Sequence, residues 1–252
     1  MAAEFVADPF LIKAGETWYL FFEVLNKSTG HGDVAVATSS NTWTWAYQEV
    51  VLDEPFHLSY PYVFQWQDAY YMIPETAATE SIRLYRSDDF PLHWSFVTTL
   101  IQGRPYVDSS IVFAEGKWWL FSSLKGNATL YLFYADALEG PWLRHPRSPI
   151  TRGNAHISRP GGRILAYQDK LYRFAQDGLP SYGRLVRAFE ITELTPTTYR
   201  EKLAQEKPIV EASGRGWNGS GMHQFDAVQV GPQSWIAAVD GRGNYWDIFG
   251  LR

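Results

Sequence analysis

Five times along the chain a short apolar run leads through a tight turn into an aromatic-rich run. Phe10-Leu11-Ile12 leads to Trp18-Tyr19-Leu20-Phe21-Phe22-Glu23, and Tyr62-Val63-Phe64 to Tyr70-Tyr71-Met72-Ile73-Pro74-Glu75. Ile111-Val112-Phe113 leads to Trp118-Trp119-Leu120-Phe121-Ser122, and Arg163-Ile164-Leu165-Ala166 to Leu171-Tyr172-Arg173-Phe174-Ala175-Gln176. The last is Ala227-Val228-Gln229-Val230 to Trp235-Ile236-Ala237-Ala238-Val239-Asp240. Each unit spells a β-hairpin. Further strands follow most of them, such as Asp33-Val34-Ala35-Val36-Ala37 and then Trp43-Thr44-Trp45-Ala46-Tyr47.

Four strands recurring at about 50 residues is the pattern of a propeller. A β-sandwich has no reason to repeat one hairpin five times. The expected fold is therefore all-β: a five-bladed β-propeller with about four antiparallel strands per blade. Residues 1–252 form a single domain, with blades starting near Asp8, Tyr60, Asp108, Arg159 and Asp226. The polar stretch Glu193 to Glu206 has room for a short helix, and the fifth unit shows no outer strand of its own. Met1 to Val6 is barely long enough to supply one.

Aromatics make up 16% of the chain, which favours strands and a large core. Charged residues are only 19%, the formal net charge is −5 and the Lys and Arg are scattered, so no nucleic-acid partner and no anionic membrane surface is indicated. The absence of cysteine excludes disulfides, thiolate metal sites and a Cys nucleophile. No signal peptide and no membrane span is visible. These features fit a soluble protein of the reducing cytoplasm.

In a propeller, residues just before each inner strand ring one mouth of the central funnel, and the ends of the second strands return to it. This rule places Asp8, Tyr60, Asp108, Arg159, His223 and Asp226 at the mouth. Glu23, Glu75, Ser122, Gln176, Asp177 and Asp240 join them from the second strands. At least six carboxylates converge in a chain poor in charge. Polar rings also line propeller channels without chemistry, and Asp-Pro is a common turn signal. Glycoside hydrolysis, however, needs two carboxyl groups flanking the bond, one protonated and one ionised. Arg104, Arg159, Arg163, Arg184 and His223 also point inward, either to bind an acidic or phosphorylated glycan or to neutralise the ring. Phe10, Tyr60, Tyr62, Tyr106, Trp217 and Trp246 are placed to stack on sugar faces, whereas Trp118 and Trp119 read as blade-to-blade packing. His57, His93 and His145 read as surface or packing residues.

Ala7-Asp8-Pro9-Phe10, Val107-Asp108-Ser109-Ser110 and the repeated Trp-Tyr-Leu-Phe strands resemble the five-bladed glycoside hydrolases of family 43. The resemblance implies Asp8 as general base and Asp108 as the carboxylate that orients the acid and raises its pKa. That family takes its acid from a Glu before the fourth inner strand, where this chain has Ser158-Arg159-Pro160-Gly161-Gly162. Glu75 is the best substitute, by position rather than by motif. The same resemblance makes His223 a candidate ligand for a structural calcium ion in the central channel, and no other cofactor is required.

A likeness over almost the whole chain is carried by His57-Leu58-Ser59-Tyr60-Pro61, Met72-Ile73-Pro74-Glu75, Ile82-Arg83-Leu84-Tyr85-Arg86 and Leu171-Tyr172-Arg173-Phe174-Ala175-Gln176-Asp177. They resemble the N-terminal domain of plant glucosamine inositolphosphorylceramide transferases and bacterial relatives. In those proteins the transfer chemistry belongs to another domain, so the implied partner is a separate transferase domain or subunit, and the implied ligand a glycan or glycoside.

Three functions are therefore carried forward. The first is a glycoside hydrolase cleaving a terminal sugar, with Asp8, Glu75 and Asp108 catalytic and Tyr60, Arg159, Arg163, Gln176, Asp177, His223 and Asp226 binding substrate. The second is a non-catalytic glycan-binding or accessory module of a sugar-modifying transferase. The third is a glycoside phosphorylase, with Arg159, Arg163 and His223 holding phosphate.

Overall fold

The computed structural model describes residues 2–243 and the backbone of 246–247. Apolar and aromatic runs build six antiparallel sheets among the described residues, four of them full blades. Blade 1 is β1 (Ala3–Ala14), β2 (Thr17–Asn26), β3 (Gly32–Ser39) and β4 (Ala46–Leu52) in that order. Blade 2 is β5 (Ser59–Trp66), β6 (Ala69–Glu75), β7 (Ser81–Asp89) and β8 (His93–Gln102). Blade 3 is β9 (Tyr106–Ala114), β10 (Lys117–Leu124) and β11 (Thr129–Ala135), whose outer edge pairs with two short strands, β12 (Leu143–Arg144) and β13 (Thr151–Arg152).

Blade 4 is more broken. Its inner position is shared by β14 (Arg159–Pro160) and β15 (Leu165–Tyr167), both paired with β16 (Lys170–Asp177). Next comes β17 (Leu185–Leu194), edged by β18 (Tyr199–Leu203) and β19 (Val210–Glu211). The polar stretch from Glu193 to Glu206 thus forms strand where a short helix was expected, because Glu193 and Glu201 lie in the β17–β18 ladder.

The fifth repeat falls short of a blade among the described residues. It is the hairpin β20 (Phe225–Gly231) and β21 (Ser234–Val239), beside the two-residue pair β22 (Gly241–Arg242) and β23 (Trp246–Asp247). The expectation of five four-stranded blades is corrected: the fold is an all-β propeller with four complete blades among the described residues. Ala3 to Val6, a candidate outer strand for that unit by sequence, instead belongs to β1 and pairs with β2.

The core lies between sheets. One buried cluster joins Phe10 of blade 1 to Tyr60, Tyr62 and Ile73 of blade 2 and Ile111 and Trp118 of blade 3. Trp118 meets Trp66 edge-on at 4.7 Å, so it packs blade to blade as its position implies. Burying such faces removes them from water at about 25 cal/mol per Å², which makes neighbouring blades mutually dependent.

Candidate functional site

Three inner strands share one irregularity. Asp8, Tyr60 and Asp108 all have positive φ, at 52°, 45° and 47°. In each case the register slips against the second strand: between Ala7 and Phe10 in β1, between Ser59 and Tyr62 in β5, and opposite Ser122 and Ser123 in β9. Each is a β-bulge, which bends the strand and redirects one side chain. Non-glycine residues in this region cost about 1–3 kcal/mol each. Aspartate tolerates it better than tyrosine.

The bulges of blades 1 and 3 turn two carboxylates inward. A cavity of about 190 Å³ is lined by Asp8, Glu23, Glu75, His57, Ser59, Arg159, Tyr182, His223, Phe5 and Ala7. Asp108 sits just behind it, 1% exposed. Arg159 donates to Asp108 from Nε to Oδ2 and from Nη2 to Oδ1 (3.1 Å), and Gln176 Nε2 donates to Oδ2 at 2.8 Å. The same guanidinium lies 3.6 Å from Glu75 Oε2 and over the Tyr182 ring. Burial works against the charge on Arg159, but Asp108, Tyr182 and Glu75 together overcome it and hold the guanidinium pKa well above its ordinary value.

Across the cavity stands a second chain of charges. His223 Nδ1 is 2.6 Å from Asp240 Oδ2, and its Nε2 is 3.4 Å from Asp8 Oδ1. Burial alone would lower the imidazole pKa, but the two carboxylates raise it. The backbone N–H of Tyr60 donates to Asp8 Oδ2 at 3.1 Å.

Burial raises the carboxyls. Asp8 is pushed up to about 7 by desolvation, with repulsion from Asp108 and Asp240 opposing the pull of His223. Glu75 rises to about 8 by desolvation and then by the Asp108 charge beside it. Glu23 is held well above the carboxylate range by burial and by Asp8 and Glu75. Glu23 Oε1 and Glu75 Oε2 are buried without a hydrogen-bond partner, so both acceptors are available to a bound ligand.

Several expected site residues lie elsewhere. Tyr60 is fully buried; its hydroxyl donates to Gly162 O (3.0 Å) and accepts from Gly162 N (2.7 Å), with Ser110 Oγ at 2.9 Å. Its ring cannot meet a sugar. Arg163 and Asp226 form a lock outside the cavity: Nε donates to Asp226 Oδ1 (2.8 Å), Nη1 to Val63 O and Nη2 to Leu11 O. The Leu11 amide completes Asp226 at 2.6 Å. Asp177 is taken by His156 Nδ1 and the Leu179 amide. Gln176 acts on Asp108 rather than facing the cavity. Phe10, Tyr62 and Tyr106 are core, Arg104 binds the Tyr131 hydroxyl, Trp217 lines a separate apolar groove, and the Trp246 side chain lies outside the described residues.

His57 and Tyr182, like Phe5, line the cavity without having been recognised as site residues. His57 Nδ1 accepts the Gly32 amide at 2.9 Å while its other nitrogen lies 3.6 Å from Glu23. Tyr182 comes from the β16–β17 loop and packs edge-on to His223 at 5.4 Å.

Asp8, His223 and Asp240 place potential ligand atoms within 4.8 Å of one another. Calcium takes six to eight oxygens. Both oxygens of Asp240 already accept backbone N–H groups, from His223 and Gln224 on Oδ1 and from Asp8 on Oδ2. What remains is one carboxylate and one ring nitrogen, and calcium does not fit that set.

Residues 1–242 match the protein family described as Glucosamine inositolphosphorylceramide transferase 1, N-terminal. The Oryza sativa subsp. japonica protein named Glucosamine inositolphosphorylceramide transferase 1 is 41% identical over 249 residues, covering 95% of this chain and 33% of that protein. Its Arabidopsis thaliana counterpart is 38% identical over 253 residues, covering 96% of this chain and 32% of the relative. The chain therefore spans about a third of the length of the curated relatives it matches.

Solved structures are similar in fold at low identity. The catalytic domain of a Coprinopsis cinerea α-L-arabinofuranosidase of glycoside hydrolase family 62 superposes with a TM-score of 0.73 at 15% identity, covering 97% of this chain and 89% of that one. A Cellvibrio cellulosa α-L-arabinanase complexed with arabinohexaose gives 0.68 at 17%, covering 95% and 87%. These likenesses concern the fold alone. With the family matched along almost its entire length, the chain belongs to the family of N-terminal domains of glucosamine inositolphosphorylceramide transferase 1.

Proposed function

We propose that this propeller is a carbohydrate-active domain that takes a single terminal sugar into the Asp8–Glu75 cavity and hydrolyses its glycosidic bond. The observation that carries the reading is two carboxyl groups of raised pKa, Asp8 and Glu75, lining one cavity. At about 190 Å³ it is smaller than the roughly 300–1,000 Å³ of drug-sized sites, and its size suits one sugar ring.

In this reading Glu75, protonated at neutral pH, donates its proton to the leaving oxygen. Asp8 removes a proton from the water that attacks the anomeric carbon. Burial, helped by the negative charge of Asp108, keeps Glu75 protonated, and Arg159 and Gln176 hold Asp108 in place. His223, braced by Asp240, steadies Asp8.

A second reading is a glycan-binding module serving a transferase. It is favoured by Arg159 standing where the resembling hydrolases have an acid, and by the transferase names of longer relatives. The phosphorylase reading draws no support, because Arg159, Arg163 and His223 are all engaged by carboxylates.

The test is turnover of a panel of aryl pyranosides and furanosides, with and without phosphate, by the wild type and by Asp8→Asn and Glu75→Gln. Turnover lost in both variants supports hydrolysis, and a phosphate requirement would instead revive the phosphorylase. Silence across the panel, with saturable binding on a glycan array that both substitutions weaken, favours the module.

A further inference from the structure

A second cluster of metal-type side chains lies on the rim of the mouth, apart from the Asp8 cavity. His31 is in the β2–β3 turn, Asp33 is on β3, and Asp53 follows β4. Val34 pairs with Leu52, so the antiparallel register sets Asp33 directly opposite Asp53. Like charges facing each other across a ladder are destabilising unless something compensates them. The His31, Asp33 and Asp53 ligand atoms lie within 4.8 Å of one another.

Asp33 supplies the second, independent observation. Its side chain is 1% exposed, Asn26 Nδ2 donates to Oδ2 at 3.0 Å, and Oδ1 is buried with no hydrogen bond. The Asp53 carboxyl stands close to the Asp33 side chain, and His31 Nδ1 lies 3.3 Å from Oδ1. That separation is long for a charge-assisted hydrogen bond, which runs to about 2.7–2.9 Å. It matches the edge of a tetrahedron with metal–ligand bonds of about 2.0–2.1 Å, which is roughly 3.3–3.4 Å.

We propose that His31, Asp33 and Asp53 bind a zinc-class divalent cation on the rim of the propeller mouth. One imidazole and two carboxylates suit such an ion better than calcium or magnesium, which prefer all-oxygen cages. The exposed Asp53 leaves the fourth position to water. Bound there, the ion neutralises the Asp33–Asp53 pair and pins the turn that ends at Gly32. Gly32 is a keystone: its N–H holds His57, its carbonyl accepts the Leu58 amide, and a Cβ there would come within 2.8 Å of Glu23 Oε1. The ion therefore braces the backbone on which two cavity residues rest.

The experiment is calorimetric titration of EDTA-treated protein with Zn²⁺, with Ca²⁺ and Mg²⁺ in parallel and thermal unfolding alongside. One zinc equivalent should bind and raise the unfolding temperature. Asp53→Asn, at an exposed position, and His31→Gln should each weaken zinc binding about tenfold or more, while His223→Gln leaves it unchanged. The proposal is overturned by absence of saturable binding, by tighter calcium than zinc binding, by indifference to both rim substitutions, or by loss of binding in His223→Gln.

Discussion

Arg159 grips Asp108 with two nitrogens across the boundary between blades 3 and 4, Nε on Oδ2 and Nη2 on Oδ1. Asp108 is buried and Arg159 mostly so, and the pair ties the inner strands β9 and β14 together. Removing one partner strands a charge in the interior, which costs about 3–5 kcal/mol. Arg159→Met should lower the urea midpoint accordingly. Adding Asp108→Asn should restore part of the loss, and a double-mutant cycle measures the coupling. Additive losses would show that the two side chains act independently.

Stability should fall as pH rises from about 4 to about 8. Asp8 and Glu75 are raised to about 7 and about 8, from ordinary values of 3.8 and 4.5. Between those limits the folded state holds more protons than the unfolded one. Their contribution is complete below the unfolded values and disappears as pH climbs through the folded ones. His223, also raised, acts in the same direction. Urea midpoints across this range check the sign, and Glu75→Gln should flatten the slope.

If the cavity hydrolyses glycosides, kcat/KM should be bell-shaped. The acid limb belongs to Asp8, which must ionise, near about 7; the alkaline limb belongs to Glu75, which must stay protonated, near about 8. The limbs describe the interacting pair, so the optimum is narrow. Asp108→Asn should move the alkaline limb to lower pH, since it removes the charge that helps burial keep Glu75 protonated.

Tyr60→Phe tests whether this side chain is structural. It deletes the acceptor of the Gly162 amide and leaves that N–H buried, at about 1–3 kcal/mol. Ligand binding should survive, because the hydroxyl faces away from the cavity. Gly162→Ala should be harsher: its φ is +143° and a Cβ would sit 1.8 Å from Phe225 O. Circular dichroism melts of the two variants rank them.

The hairpin repeat was legible because aromatic second strands need a tight turn and a partner, and both are written locally. So was the convergence of Asp8, Glu75, Asp108 and Arg159, which follows from strand direction alone. The depth of each residue along the axis was not legible. Arg163 and Asp226 precede or open inner strands as Asp8 does, yet the inner position of blade 4 is broken between Pro160 and Leu165, and Arg163 in that break reaches the β1 and β5 carbonyls instead. His57 and Tyr182 escaped because they enter from loops, whose course no periodicity records. A signal for His57 existed in its place next to Leu58-Ser59-Tyr60, directly before the second inner strand.

The crossing of the axis by Tyr60 and Arg163 has a consequence for traffic. Tyr60 reaches from blade 2 to Ser110 and Gly162, and Arg163 from blade 4 to Val63 and Leu11. If the cavity of about 190 Å³ takes a glycan, as proposed above, these contacts would keep a polymer from threading between the blades, and a chain end would be what enters. Whatever enters last must leave first: after a cleavage, the outer fragment departs before the sugar held at the bottom. Retention of that inner sugar would then govern the cycle, and competition by free monosaccharide would be felt more strongly than competition by the released chain.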